Sequence, residues 1–358
     1  MIKEIETPSA KGYLTKYVID LDVAPLITEL HIYADEAGRF HVPLEYRSDV
    51  TYGPNVKALS VELYREGVMS NDRSAAFLNA AGNGQLGLSD GSIYHFCKGF
   101  SERAQESYAH LGERLLNQKV VLTDATVVSV NGKQNYIRNF SVGNTVIYHA
   151  MNEKTIQSMK SLPFLREFTG GLVHDHETAR YHFGTGHAEC NVHLLRYLKK
   201  NTEDTGHSWS GEMVCLLCSA NRERKHQIAQ GLEAFPAKER AGFEERYQEL
   251  IRKGRKQNVE TKHSYAKKEE QTLLNRMEKY RQNHLMFLND FGVPFDNNTS
   301  ERDLRKAKNR QKMEGGFRKS SGNEMYCSIL SIIETLKRRE MAMLENIKYL
   351  FMGTPAIF

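Results

Sequence analysis

The chain has 358 residues, beyond the roughly 250–300 at which a single hydrophobic core stops growing, so two or three domains are expected. Five cysteines, Cys97, Cys190, Cys215, Cys218 and Cys327, are an odd count, the opening "MIKEIETPSAKGY" has no apolar signal core, and no window approaches the ~18 uninterrupted apolar residues of a membrane helix. A disulfide scaffold and a membrane protein are excluded in favour of a soluble, cytoplasmic one; the net charge of +5 is mild, but lysine and arginine gather from Arg222 onward and most densely after Glu301.

In residues 1–55, "LITELHIYAD" and "RFHVPLEYRS" alternate around the turn-like "EAG", which predicts a small β-hairpin. Residues 56–115 take a helical period, with Ser70 and Ser89 as N-cap candidates and the glycines of "AAGNG" at a helix-to-helix turn. That pattern suits a helix-turn-helix presenting Ser92, Tyr94 and His95 to DNA, or plain packing helices without such a contact. From 116 to 200, "KVVLTDATVVSV", "GKQNYIRNF" and "NTVIYHAM" read as a three-strand meander, "EKTIQSMKSL" as a helix and "GGLVHDH" as a buried strand. This order fits a mixed α/β sheet of the ribonuclease H-like type better than a doubly wound one, which would alternate from the start. Residues 201–290 read as an α-helical insertion, with Leu273, Leu274 and Met277 among the apolar positions at helical spacing. The chain returns to the core over 291–358, where Ile329, Leu330, Ile333 and Leu336 form the apolar stripe of an amphipathic helix.

Asp124 and Asp175 each stand where an apolar strand leaves the core. An acid there is costly to desolvate without a positive partner, and two of them on neighbouring strands would need a cation between them. Oxygen donors of this kind suit Mg²⁺ or Mn²⁺, and a third carboxylate would complete a site for two ions. Aspartates also cap strand ends with no such role.

The segments "LVHDHETARYHFGTGHAECNVHLLRYL" and "VPFDNNTSERDLRKAKNRQKMEGGFRKSSGNEMYCSILSIIETL" resemble the DDE transposases of the insertion sequence 66 family. The resemblance runs from about residue 119 to the C-terminus and implies a catalytic triad of Asp124, Asp175 and Glu301 binding two Mg²⁺ or Mn²⁺ ions. It further implies cleavage of double-stranded DNA at element ends, transfer of the freed 3′-hydroxyl to target DNA, a homodimer in the synaptic complex, accessory proteins encoded by the same element and a place at the bacterial nucleoid. Family members commonly carry a cysteine-based zinc module near the N-terminus, whereas no cysteine here precedes Cys97. A truncated or domesticated DNA-binding relative is the alternative.

Arg302, Arg305, Lys306, Lys308, Arg310, Lys312, Arg318 and Lys319 follow Glu301 with few acids between them and are expected to contact DNA phosphates. Asn298 and Glu301 also have capping-box spacing. His187, Cys190 and His193 recur at helical spacing and with Cys215 and Cys218 are zinc-ligand candidates, although "EMVCLLCSA" is apolar enough for its cysteines to be core residues; Cys190 and His193 match a Cys-x-x-His element of the family, and that resemblance implies support of the catalytic core. Trp209, the single tryptophan, opens the insertion and is a candidate platform for a flipped base or a packing anchor. His174 and His176 flank Asp175, and strand alternation assigns them to packing.

Overall fold

The computed structural model describes residues 23–67 and 69–354; the opening segment read for a signal core lies outside them. The expected N-terminal hairpin is reduced to one bridge between Ala34 and Phe40 around a tight turn, in which the Asp35 carboxylate accepts the Ala37 and Arg39 amides. Leu26 and Tyr33 remain largely exposed, and alternation without a surface to pack on does not make strands.

Four helices follow: α1 (Pro54–Glu66), α2 (Asn71–Ala81), α3 (Asp90–Arg103) and α4 (Gln105–Leu116). Ser70 and Ser89 cap α2 and α3 as expected, Ser89 in a reciprocal capping box with Ser92. The Asn79 amide clasps Leu88 in both directions across the turn between them. Tyr94 and His95 face solvent, while Ile93, Cys97 and Phe100 enter the same apolar cluster as the sheet.

The sheet has β1 (Val120–Val130), β2 (Lys133–Val142), β3 (Thr145–Met151), then, after short helices α5 (Ile156–Lys160) and α6 (Pro163–Glu167), β4 (Gly171–His174) and β5 (Gly186–Glu189), in the order β3-β2-β1-β4-β5. β1 to β3 form the antiparallel meander, and β4 and β5 run parallel to β1. The β1–β2 turn is Asn131–Gly132, both at positive φ, the pair a two-residue hairpin demands. β5 is absent from the sequence reading, because its four residues "GHAE" are too short and too polar to display a period.

On β4, Leu172 enters one apolar cluster with α1–α4 while Val173 enters another, so this strand is buried on both faces. The second cluster is built by α7 (Asn191–Thr205), α8 (Ser208–Ala229), α9 (Ala237–Glu260), α10 (Ser264–Lys279) and α11 (Arg281–Asn289). The chain then returns through α12 (Asn298–Asp303) and α13 (Arg305–Glu314) to α14 (Ser320–Arg338) and α15 (Met343–Phe351). Ile329, Leu330, Ile333 and Leu336 are fully buried, as their spacing predicts. α14 also closes the outer edge of the sheet: Ser331 Oγ accepts the Tyr148 amide at 2.8 Å, and Thr335 Oγ1 bonds both the amide and the carbonyl of Val146. No described helix is long and apolar enough to cross a membrane.

Candidate active site

The β1–β4 pairing aligns Leu122 with Val173; Asp124 lies two residues further along β1, and Asp175 two residues further along the chain, just past the end of β4. Asp175 stands at a strand end as expected, but Asp124 does not: β1 runs on to Val130 because its later residues pair with β2, so Asp124 lies within the strand. The cation between them is Arg180, from the 3-10 turn Thr178–His182: its guanidinium lies 2.8 Å from Asp175 Oδ1, 3.5 Å from Asp124 Oδ1 and 2.7 Å from Glu177 Oε2, and it donates to the Thr123 carbonyl. A second buried arginine, Arg138 of β2, pairs with Glu177 at 3.0 Å. Burial opposes the charge on Glu177, but Arg180 and Arg138 outweigh it and hold the carboxyl below the usual glutamate range. Burial, then the neighbouring Arg180, lowers Arg138 to about 10, still protonated at neutral pH. Arg180, Arg138 and Glu177 are missing from the sequence reading because nothing in "HETARYH" reveals that Arg180 turns back between β1 and the end of β4.

Glu301 is tied to the same place by its neighbours. Asn139 of β2 accepts the Asp124 amide at 2.9 Å and donates to the Ser300 carbonyl at 3.1 Å, while Asn297 donates to the Thr123 carbonyl at 2.9 Å. The expected capping box does not form: Asn297, not Asn298, stands at the cap, no side chain caps α12, and Glu301 is held instead by these cross-links to β1 and β2. Its Oε1 is buried without a hydrogen-bond partner, 3.7 Å from His193 Nδ1, which is equally unpartnered. Asp124 and Asp175 therefore share a guanidinium, and Glu301 faces Cys190 and His193 at the same end of the sheet. The three acids therefore do not close on one point among the described residues, but two of their oxygens, Asp175 Oδ1 and Glu301 Oε1, are buried without a hydrogen-bond partner, and hard oxygen donors of this kind suit divalent ions of the magnesium type.

The histidines and cysteines divide. His174 is buried and pairs with His187 of β5 at 3.1 Å; burial, then Arg180, pushes its pKa down to about 3, so it is neutral. His176 pairs with the buried Glu189 at 2.9 Å. Both have the packing role expected of them. His187, Cys190 and His193 do not share a helix: His187 is on β5, Cys190 caps α7 and His193 lies in its first turn. Cys215 and Cys218 point to solvent from α8, where Met213, Leu217 and Ala220 supply the buried face, so they are neither core residues nor partners of Cys190.

Trp209 is completely buried and its indole N–H donates to Glu270 at 2.6 Å, which leaves no ring face for a base; it is a packing anchor. The basic run also splits. Arg302, Arg305, Lys308, Lys312, Arg318 and Lys319 are exposed. Arg310 is not available to phosphate: it is buried 4.1 Å over the Tyr64 ring and ion-paired with Glu314. Lys306 is half-buried and paired with Glu66 at 2.7 Å. Helical spacing turns one residue in three or four inward, and a charge count does not resolve which.

The family model described as the transposase IS66 family matches residues 50–325. The chain belongs to that family. The IS66 match spans α1 through the first turns of α14 and includes Asp124, Asp175 and Glu301. A search of curated proteins returned no match.

Proposed function

We propose that this IS66-family chain cleaves DNA at the ends of a mobile element and joins the freed 3′-hydroxyls to target DNA, with Asp124, Asp175 and Glu301 as the metal-binding triad. The observation that carries the reading is that Asp124 of β1 and Asp175, which follows the last residue of β4, both lie against the buried Arg180 guanidinium, with the Glu301 helix hydrogen-bonded to Asn139 beside Asp124. The order of three antiparallel strands and two parallel ones, with helices inserted before Glu301, supports a ribonuclease H-like core.

Asp124, Asp175 and Glu301 would hold two Mg²⁺ or Mn²⁺ ions, which when bound activate the attacking oxygen and neutralise the leaving one. Arg180 balances the aspartates in the free protein, Asn139 and Asn297 fix the start of α12 against β1, and the exposed Arg302, Arg305, Lys308, Lys312, Arg318 and Lys319 neutralise phosphates beside the site. Tyr94 and His95, exposed on α3, suit a base-edge contact by a helix-turn-helix over 56–115. A homodimer holding both ends, the accessory proteins of the element and a place at the nucleoid complete this reading.

The test is Mg²⁺-dependent cleavage and strand transfer on labelled element-end DNA. Asp175→Asn and Glu301→Gln are each expected to lose several kcal/mol of charge stabilisation, on the order of 10³-fold in rate, with an unchanged circular dichroism spectrum. Full strand transfer by either variant would remove the triad assignment.

A further inference from the structure

Cys190, His193 and Glu301 converge although they come from different elements. The Cys190 sulfur, a ring nitrogen of His193 and a carboxylate oxygen of Glu301 all lie within 4.8 Å of one another, the sole such group of three His, Cys, Asp or Glu residues among those described. Two of these atoms, His193 Nδ1 and Glu301 Oε1, are buried without a hydrogen-bond partner, which normally costs free energy. Their separation of 3.7 Å is what two ligands about 2.1 Å from one ion subtend at roughly 120°, near tetrahedral. The third ligand is held in place: Cys190 is 1% exposed, and its sulfur accepts the Asn297 amide at 3.2 Å.

We infer that Cys190, His193 and Glu301 form a thiolate–imidazole–carboxylate site for a borderline-soft divalent ion of the Zn²⁺ class. Sulfur and imidazole select such an ion over Mg²⁺, which prefers oxygen alone. Binding releases the thiol proton to solvent and involves no redox change. Occupancy fixes the Glu301 carboxylate where it already lies, against Cys190 and His193 at the start of α7, so Zn²⁺ acts as an inhibitor competing for Glu301. The ion site stands on its own geometry; the inhibition rests on the triad reading above.

The test uses full-length protein carrying Cys215→Ser and Cys218→Ser, which removes the two exposed thiols from the signal. Titrated with Co²⁺, it is expected to show a sulfur-to-cobalt charge-transfer band and intense tetrahedral visible bands, both displaced by one equivalent of Zn²⁺. Cys190→Ser in that background abolishes the charge-transfer band, and His193→Ala weakens binding by at least the ~10–100-fold that loss of an outer-shell partner costs. No thiolate band before Cys190 is replaced, or an equal one after, overturns the site. In Mg²⁺-dependent end cleavage, Zn²⁺ inhibits the parent protein at concentrations at least ~10-fold below those needed for His193→Ala, each measured against its own uninhibited rate. Equal Zn²⁺ sensitivity would overturn the competition while leaving the spectroscopic site. A positive spectrum from a protein that cleaves no end DNA would instead refute the transposition reading alone.

Discussion

Arg180 is a buried cation whose partners, Asp124, Asp175 and Glu177, come from β1 and from the segment that follows β4. Its guanidinium supplies the positive charge that acids brought together on neighbouring segments need in order to stay ionised. Replacing it with glutamine leaves three acids short of one counterion, at a cost of about 2–4 kcal/mol, somewhat less than a fully buried pair because Asp175 is partly open to water. The deficit is one that a divalent ion can make good. Mn²⁺ or Mg²⁺ is therefore expected to raise the Tm of Arg180→Gln more than that of the parent. Thermal melts with and without the ion decide this, and equal shifts in the two proteins would show that Arg180 and the ions do not compete for the same charges.

Among the elements, α9 shows how close packing and helix propensity pull in opposite directions. A Cβ at Gly254 would lie 2.7 Å from both Leu274 and the Trp209 ring, so α8, α9 and α10 meet where α9 has no side chain. Gly242, on the same helix, has open space around it. Gly242→Ala is expected to stabilise by up to ~1 kcal/mol through propensity, and Gly254→Ala to destabilise by about 1–3 kcal/mol through overpacking. Urea unfolding followed by the fluorescence of Trp209, the single tryptophan, reads the insertion directly; equal effects at the two glycines would deny the close approach. Elements with a long period were legible in the sequence: the β1–β3 meander, the helices of the insertion and the stripe of α14. So was the strand-end position of Asp175, but not that of Asp124, which lies inside a strand that β2 extends to Val130. What the sequence concealed was set by tertiary contact. β5 is stabilised as a strand by β4, Trp209 is covered by α9 and α10, Arg310 turns inward onto Tyr64, and Asn297 spends its amide on β1 instead of capping α12.

At the scale of the whole molecule, buried neutral histidines couple stability to pH. Burial, aided by Arg138, pushes His149 down to about 4; burial, aided by Arg180, pushes His174 to about 3; and burial lowers His284 although Glu189 pulls the other way. Each binds a proton less readily when folded than when unfolded. Their contribution is complete above the ordinary histidine value near 6.5 and is lost as pH falls below it, because the unfolded chain then takes up protons that the folded one refuses. Between pH 6.5 and 5, above the range in which most carboxylates titrate, the loss is on the order of 1–2 kcal/mol for each of His149 and His174. Urea midpoints measured across this interval should fall with pH, and a flat profile would mean that these rings are protonated in the folded state. The hydroxyls of Ser331 and Thr335 that close the edge of β3 carry a different consequence, one of time. Between Met151, which ends the meander, and Ser320, which begins α14, the ribosome needs on the order of 10 s at ~5–20 residues per second. Throughout that interval the nascent sheet offers unpaired backbone groups to any neighbouring strand. A chain ending before α14 would lack the Ser331 and Thr335 hydroxyls and leave the Val146 and Tyr148 backbone groups of that edge unpaired.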